Sequence, residues 1–145
     1  MSGRIVAVSI SGEKGTRKEN VDFVSLVEGS GIAGDAHAGP GTRQVSLLSI
    51  DSIEKMRASG GLELSPGDFA ENITVEGISL LSIDVGTKIR LGETALLEVT
   101  HIGKECHDRC AIYFSAGDCV MPREGIFAKV VRGGLVRPGD GVALE

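Results

Sequence analysis

Tryptophan is absent from this chain, and the remaining aromatics are one tyrosine and four phenylalanines. Proteins that hold nucleic acid stack bases on aromatic platforms and draw in phosphates with clustered cations. Both devices are missing: no run of Lys and Arg forms a stripe, and the net charge is −5. Nucleic acid is therefore not an expected partner, although a local basic pocket for a small anion stays open. There is no apolar run long enough to span a membrane. The apolar stretch at Arg4-Ile5-Val6-Ala7-Val8 is also too short for a secretory signal. These absences predict a soluble, cytoplasmic protein with no membrane partner. Cysteine is scarce too. Three residues, an odd number, in a reducing compartment argue for free thiols or a metal rather than a disulfide framework.

Glycine is what the chain has in excess, with 21 among 145 residues. So much glycine implies tight turns and close backbone approaches, as in a β-rich domain with functional loops. The length fits one domain, 1–145, able to bury about two thirds of its unfolded surface. No linker or composition shift divides it.

Short β-branched segments predict strands over 4–10, 21–27 and 43–49, then over 69–75, 87–91, 94–102 and 141–144. Asp51 to Ala58 reads as a short helix, acidic early and basic late, stopped by Gly60-Gly61. Pro122 to Gly134 reads as a second helix, with Ile126, Phe127, Val130 and Val131 on one face and a Gly-Gly stop. The stretches 84–92 and 137–145 share one pattern, a turn followed by a short apolar strand. The fold expected is mainly β with a few short helices: a closed β-barrel in a single domain.

Gly29-Ser30-Gly31-Ile32-Ala33-Gly34 matches the spacing of a dinucleotide-binding turn, but that fingerprint needs a helix starting in the glycines. Asp35-Ala36-His37-Ala38-Gly39-Pro40-Gly41 cannot continue one. Two readings of this loop remain. It is either a flexible surface connection or an anion cradle in which backbone N–H groups, His37 and Arg43 face a phosphate. Asp68, Glu71 and Asn72 enter a strand and cannot be buried without partners. They either satisfy loop backbone or line a polar pocket.

All three cysteines fall between Cys106 and Cys119, with His107 inside the run and His101 just before it. Thiolates are the strongest nucleophiles and softest ligands among side chains. Cys106 and Cys110 would share one face of a helix. Cys106, Cys110, Cys119 and a histidine could assemble a tetrahedral zinc site. Inert buried cysteines, a zinc-stabilised binding module, a thiol redox sensor and a reactive thiol all stay open here.

Several segments, in order, resemble the MOSC domain family, named for the C-terminal domain of molybdenum cofactor sulfurases. They are Gly34-Asp35-Ala36-His37-Ala38-Gly39, Arg43-Gln44-Val45-Ser46-Leu47-Leu48, Pro66 to Ile73, Gly103 to Ile112, and Gly117 to Pro122 with Glu124-Gly125-Ile126-Phe127. The resemblance runs nearly end to end. It implies a β-barrel that binds the molybdenum cofactor (molybdopterin) or carries sulfur on a cysteine. The Arg-Cys context of that cysteine falls on Arg109-Cys110. Cys110 is then the catalytic and metal-ligating residue of first choice, and Cys106 the second. Gly34, Asp35, His37, Arg43, Gln44, Asp68, Glu71, Asn72 and Arg109 are the expected cofactor-binding set. A sulfur-donor or molybdoenzyme protein is the implied partner. The sulfurases draw sulfur through a preceding pyridoxal-phosphate domain, which this chain is too short to contain. No residue here supports pyridoxal phosphate, and complete sulfurase or reductase activity is not expected.

Overall fold

The computed structural model describes residues 2–12, 18–36, 38, 39, 41, 44–51, 53, 54, 71–78, 80, 83–102 and 125–144. Eleven strands run through them: β1 (Ser2–Ile10), β2 (Glu19–Val21), β3 (Val24–Val27), β4 (Gly31–Ile32), β5 (Val45–Ser49) and β6 (Ile73–Glu76), then β7 (Lys88–Leu91), β8 (Ala95–Ile102), β9 (Ile126–Arg132), β10 (Gly134–Val136) and β11 (Gly141–Leu144). Seven of them close into a barrel in the order β11-β7-β8-β9-β5-β6-β1, sealed by pairing of β1 with β11. Arg4 pairs with both Gly141 and Glu76, so β11 and β6 take opposite edges of β1. Val8 pairs with both Val21 and Ile73, which places β2 on the β11 edge, further along. The β5–β6 pair is parallel, Leu47 beside Ile73. The second sheet, β10-β3-β4, is antiparallel.

The barrel interior is solid. Ile5, Val8, Val45, Leu47, Ile73, Val75, Ile89, Leu91, Leu97, Val99, Ile126, Ala128, Val130 and Val142 form one buried cluster. Val24, Leu26, Ile32 and Val136 of the small sheet join it from the mouth where β9 ends. Ile78, Leu80 and Ile83 join it from the opposite mouth, where β6 ends and β7 begins. Side chains fill a barrel of this size completely, so a ligand has to be met outside it or on its loops.

The expected barrel is there, and several element boundaries differ from the sequence reading. The predicted helix from Pro122 to Gly134 is, over its described part, strand β9, paired with β5 and β8. Ile126, Phe127, Val130 and Val131 fall at a helical spacing, yet on β9 Ile126 to Ala128 are buried in succession and Lys129 is exposed. The Gly133-Gly134 pair is not a helix stop. A Cβ on Gly133 would collide with the Leu26 carbonyl, and one on Gly134 with the Thr94 hydroxyl, so these glycines let β10 fold across the barrel end. The predicted strand 21–27 breaks at Asp22-Phe23 into β2 and β3, which serve different sheets. The strand predicted over 69–75 begins at Ile73, after Glu71 and Asn72. Of the helix predicted over 51–58, residues 51, 53 and 54 are helical and the rest lies outside the described residues, as do Pro122 to Glu124. The two look-alike segments 84–92 and 137–145 supply neighbouring strands, β7 and β11.

Candidate functional site

Nine polar side chains are buried among the described residues: Ser9, Lys18, Asp35, Gln44, Ser46, Ser49, Glu71, Asn72 and Thr74. All lie on β1, β5 and β6 or on the segments leading into β2, β5 and β6 and out of β4. The other wall of the barrel, β7, β8 and β11, contributes none.

Register explains the clustering. Paired residues share a face. Ile126 and Ala128 belong to the core, so Phe127 between them points away from it, as does its partner Ser46. Asn72, flanking Ile73, lies beside Ser46, and Ser9 lies beside Asn72. This outward row is nevertheless dry, with Phe127 at 2% exposure and Ser46 at 1%. Its hydrogen bonds therefore close within the protein. Ser46 donates through both N–H and hydroxyl to Asn72 Oδ1, at 3.0 and 3.2 Å. The Asn72 N–H meets the Ser46 carbonyl and Oγ, each at 3.0 Å. Asn72 Nδ2 donates to the Ser9 carbonyl at 3.1 Å. The Ser9 N–H returns to the Asn72 carbonyl at 2.7 Å, and its hydroxyl donates to Asn20 Oδ1 at 2.7 Å. Asn72 thus ties β5 to β1 across the start of β6. The Thr74 hydroxyl donates to Glu71 Oε2 at 3.1 Å, and Glu71 is fully buried.

A register shift on β8 extends the row. Val99 pairs with Ala128, but His101 pairs with Phe127, leaving Thr100 as the extra residue. Bulges of this kind re-aim side chains. This one turns His101 onto the outward row, half-buried, one position before Ile102, where the cysteine-bearing segment leaves the barrel. Ile102 pairs with Ile126, where that segment returns.

The described part of the glycine-rich loop is tied down by hydrogen bonds. Gly31, at φ +123°, has no room for a side chain, since a Cβ would lie 2.8 Å from the Gln44 carbonyl oxygen. Gln44 fixes the far end of the loop, with Nε2 donating to the Gly41 carbonyl at 2.8 Å and Oε1 accepting from the Val130 N–H at 2.9 Å. Asp35 fixes the near end. Its Oδ1 accepts from Lys18 Nζ at 2.7 Å and from the Ser11 N–H at 3.1 Å. The Lys18 and Asp35 side chains are both wholly buried.

Of the expected site residues, Gln44, Glu71 and Asn72 fall on this dry side, and Gly34 and Asp35 on the loop beside it. Gly34 is an exposed turn residue at φ +85°. His37, Arg43, Asp68, Cys106, His107, Arg109, Cys110 and Cys119 lie outside the described residues. Among the described residues, no group of three or more His, Cys, Asp and Glu side chains could hold a metal. No buried side-chain polar atom among them lacks a partner, and no helix is long and apolar enough to cross a membrane. Sequence reasoning missed Lys18 and Ser46, since a buried lysine and a buried serine look like any others in a list of residues.

The described strands thus form a filled seven-stranded β-barrel with a dry polar strip along one outer side. The chain belongs to the MOSC domain family, whose profile matches residues 33–143. Among solved structures, YUAD protein from Bacillus subtilis superimposes with a TM-score of 0.82 at 22% identity, covering 99% of this chain and 96% of that one. YiiM from Geobacillus stearothermophilus gives 0.74 at 18% identity, covering 99% and 75%. YiiM from Escherichia coli gives 0.70 at 19%, covering 100% and 70%. At such identities these likenesses establish the fold alone. No curated protein matches the sequence.

Proposed function

We propose that this MOSC domain binds the molybdenum cofactor or carries sulfur on a cysteine, with Cys110 as the reactive residue and Cys106 as the second choice. The observation that carries the reading is the solid barrel combined with a dry polar strip beside the two strand ends, Ile102 and Ile126, that bracket the three cysteines. Family membership supports it, because MOSC domains occur in proteins of molybdenum cofactor metabolism.

The donor set suits the cofactor on chemical grounds. A thiolate is a soft ligand of the kind molybdenum takes, and a glycine loop bearing His37 and Arg43 suits a phosphate. When bound, the cofactor supplies a dithiolene-held metal for oxygen-atom and sulfur chemistry. The chain's part is to bind and orient it, Gln44 and Asn72 by fixing the loop and strand starts around it. Asp68, Glu71 and Arg109 complete the polar set in this reading.

Sulfur carriage needs only the thiolate. Cys110 attacks the outer sulfur of a donor persulfide, an S–S bond forms on Cys110, the donor's S–S bond breaks, and the donor leaves as a thiolate. The donor is a cytoplasmic sulfur-transfer protein and the acceptor a molybdoenzyme or its cofactor.

The test is anaerobic incubation of the wild type and of C110S with isolated cofactor or with a persulfide donor, followed by metal analysis and intact-mass measurement. Retained molybdenum, or a 32 Da adduct from one sulfur atom, in the wild type and not in C110S supports the reading. Absence of both from every cysteine ends it. Stoichiometric zinc in the protein as purified, with unfolding on chelation, would point to a zinc-stabilised module instead.

A further inference from the structure

Nothing in the sequence marks Lys18, which stands in a run of mixed charge between Glu13 and Glu19. In the fold its ammonium lies 2.7 Å from Asp35, and neither side chain touches water. Two charges removed from water are costly, and apolar residues often replace such pairs without loss of stability. What apolar residues cannot reproduce is direction. One arrangement satisfies both charges, and the backbone around them is held to it.

That backbone is the described part of the glycine-rich loop. Asp35 Oδ1 takes the Ser11 N–H at 3.1 Å as well as the ammonium. The Ala36 N–H donates to the Ser11 carbonyl at 2.7 Å, the Ala38 N–H to the Asp35 carbonyl at 3.1 Å, and the Gly39 N–H to the Ser30 carbonyl at 2.8 Å. With Gln44 bonded to Gly41 and Val130, buried side chains clamp the loop at both ends. The pair also settles the loop's charge. A lone carboxylate at position 35 would repel an anion approaching the loop, and Lys18 cancels it.

We propose that Lys18 is a positioning residue: it clamps and neutralises Asp35, so that the loop backbone at Ala33 to Ala36, Ala38 and Gly39 is preformed and charge-compensated for the phosphate end of a cofactor. The nature of the ligand rests on the function proposed above; the clamp does not. The test uses the full-length wild type, K18M/D35L and K18R. Two quantities are measured: amide hydrogen exchange at Ala36, Ala38 and Gly39, and affinity for isolated molybdenum cofactor under anaerobic conditions. In K18M/D35L the unfolding temperature stays close to wild type and the Val75 and Leu97 amides keep their protection. The three loop amides exchange at least ~10-fold faster, a local opening, and cofactor affinity falls ~10-fold because the competent loop is less populated. K18R, which keeps the charge, restores both readouts. If K18M/D35L does not fold, D35N, which removes the charge and keeps the shape, carries the same two readouts. Unchanged loop exchange overturns the proposal, and so does a loosened loop with wild-type affinity. If the wild type binds no cofactor, the cofactor reading fails and loop exchange alone decides the clamp.

Discussion

Strands β7 and β5 belong to one barrel and are built on different rules. On β7 burial alternates, with Lys88 and Arg90 exposed and Ile89 and Leu91 buried. On β5 every residue from Val45 to Ser49 is buried. The β7 wall meets water on its outside, so its outward polar groups are solvated. The β5 wall is dry on both sides, so Ser46 and its neighbours Asn72 and Ser9 are matched atom for atom inside the protein. Among the described residues the barrel keeps polar side chains dry along one side, and Gln44, Glu71 and Asn72 lie there, with Gly34 and Asp35 on the loop next to it.

That contrast can be broken by mutation. The largest effect is expected for K18M, which leaves the Asp35 carboxylate buried and uncompensated; urea denaturation should show a loss of about 4 kcal/mol. N72L comes next. It preserves volume but strips partners from the Ser46 N–H and the Ser9 carbonyl, and the same measurement should fall by about 3 kcal/mol. On the wet wall, I89V removes one methylene from the core, and calorimetry should register about 1 kcal/mol. K88L, a polar-to-apolar change like N72L but facing water, should stay within about 0.5 kcal/mol of wild type. A K88L loss as large as that of N72L would erase the distinction between the walls.

How much of this was legible in the sequence follows the same division. The strands of the wet wall announce themselves by alternation, and the shared turn-strand pattern of 84–92 and 137–145 marked two strands that turn out to be neighbours. The dry wall was legible in part: β1 and β5 read as strands, whereas β9, with Phe127 outward yet buried, loses its alternation over Ile126 to Ala128 and reads as a helix. The glycine-rich segment was readable as a loop, and its failure to start a helix rightly set aside a dinucleotide fold. Its anchors were not readable. Lys18 and Asp35 are 17 positions apart, and Ser46 and Asn72 are 26 apart, so only the closed barrel brings them together. The ordered motifs nevertheless identified the family before any geometry was known, and the family profile matches residues 33–143.

The central claim is that ligand chemistry belongs to the dry wall and its loops. Backbone deuterium uptake, compared with and without isolated molybdenum cofactor under anaerobic conditions, tests it most directly. The account predicts slowed exchange in the loop leading to Gln44, around Glu71 and Asn72, and at the His101–Ile102 end of β8, with β7 and β11 unchanged. Protection centred on β7 and β11, or no protection anywhere, would contradict it.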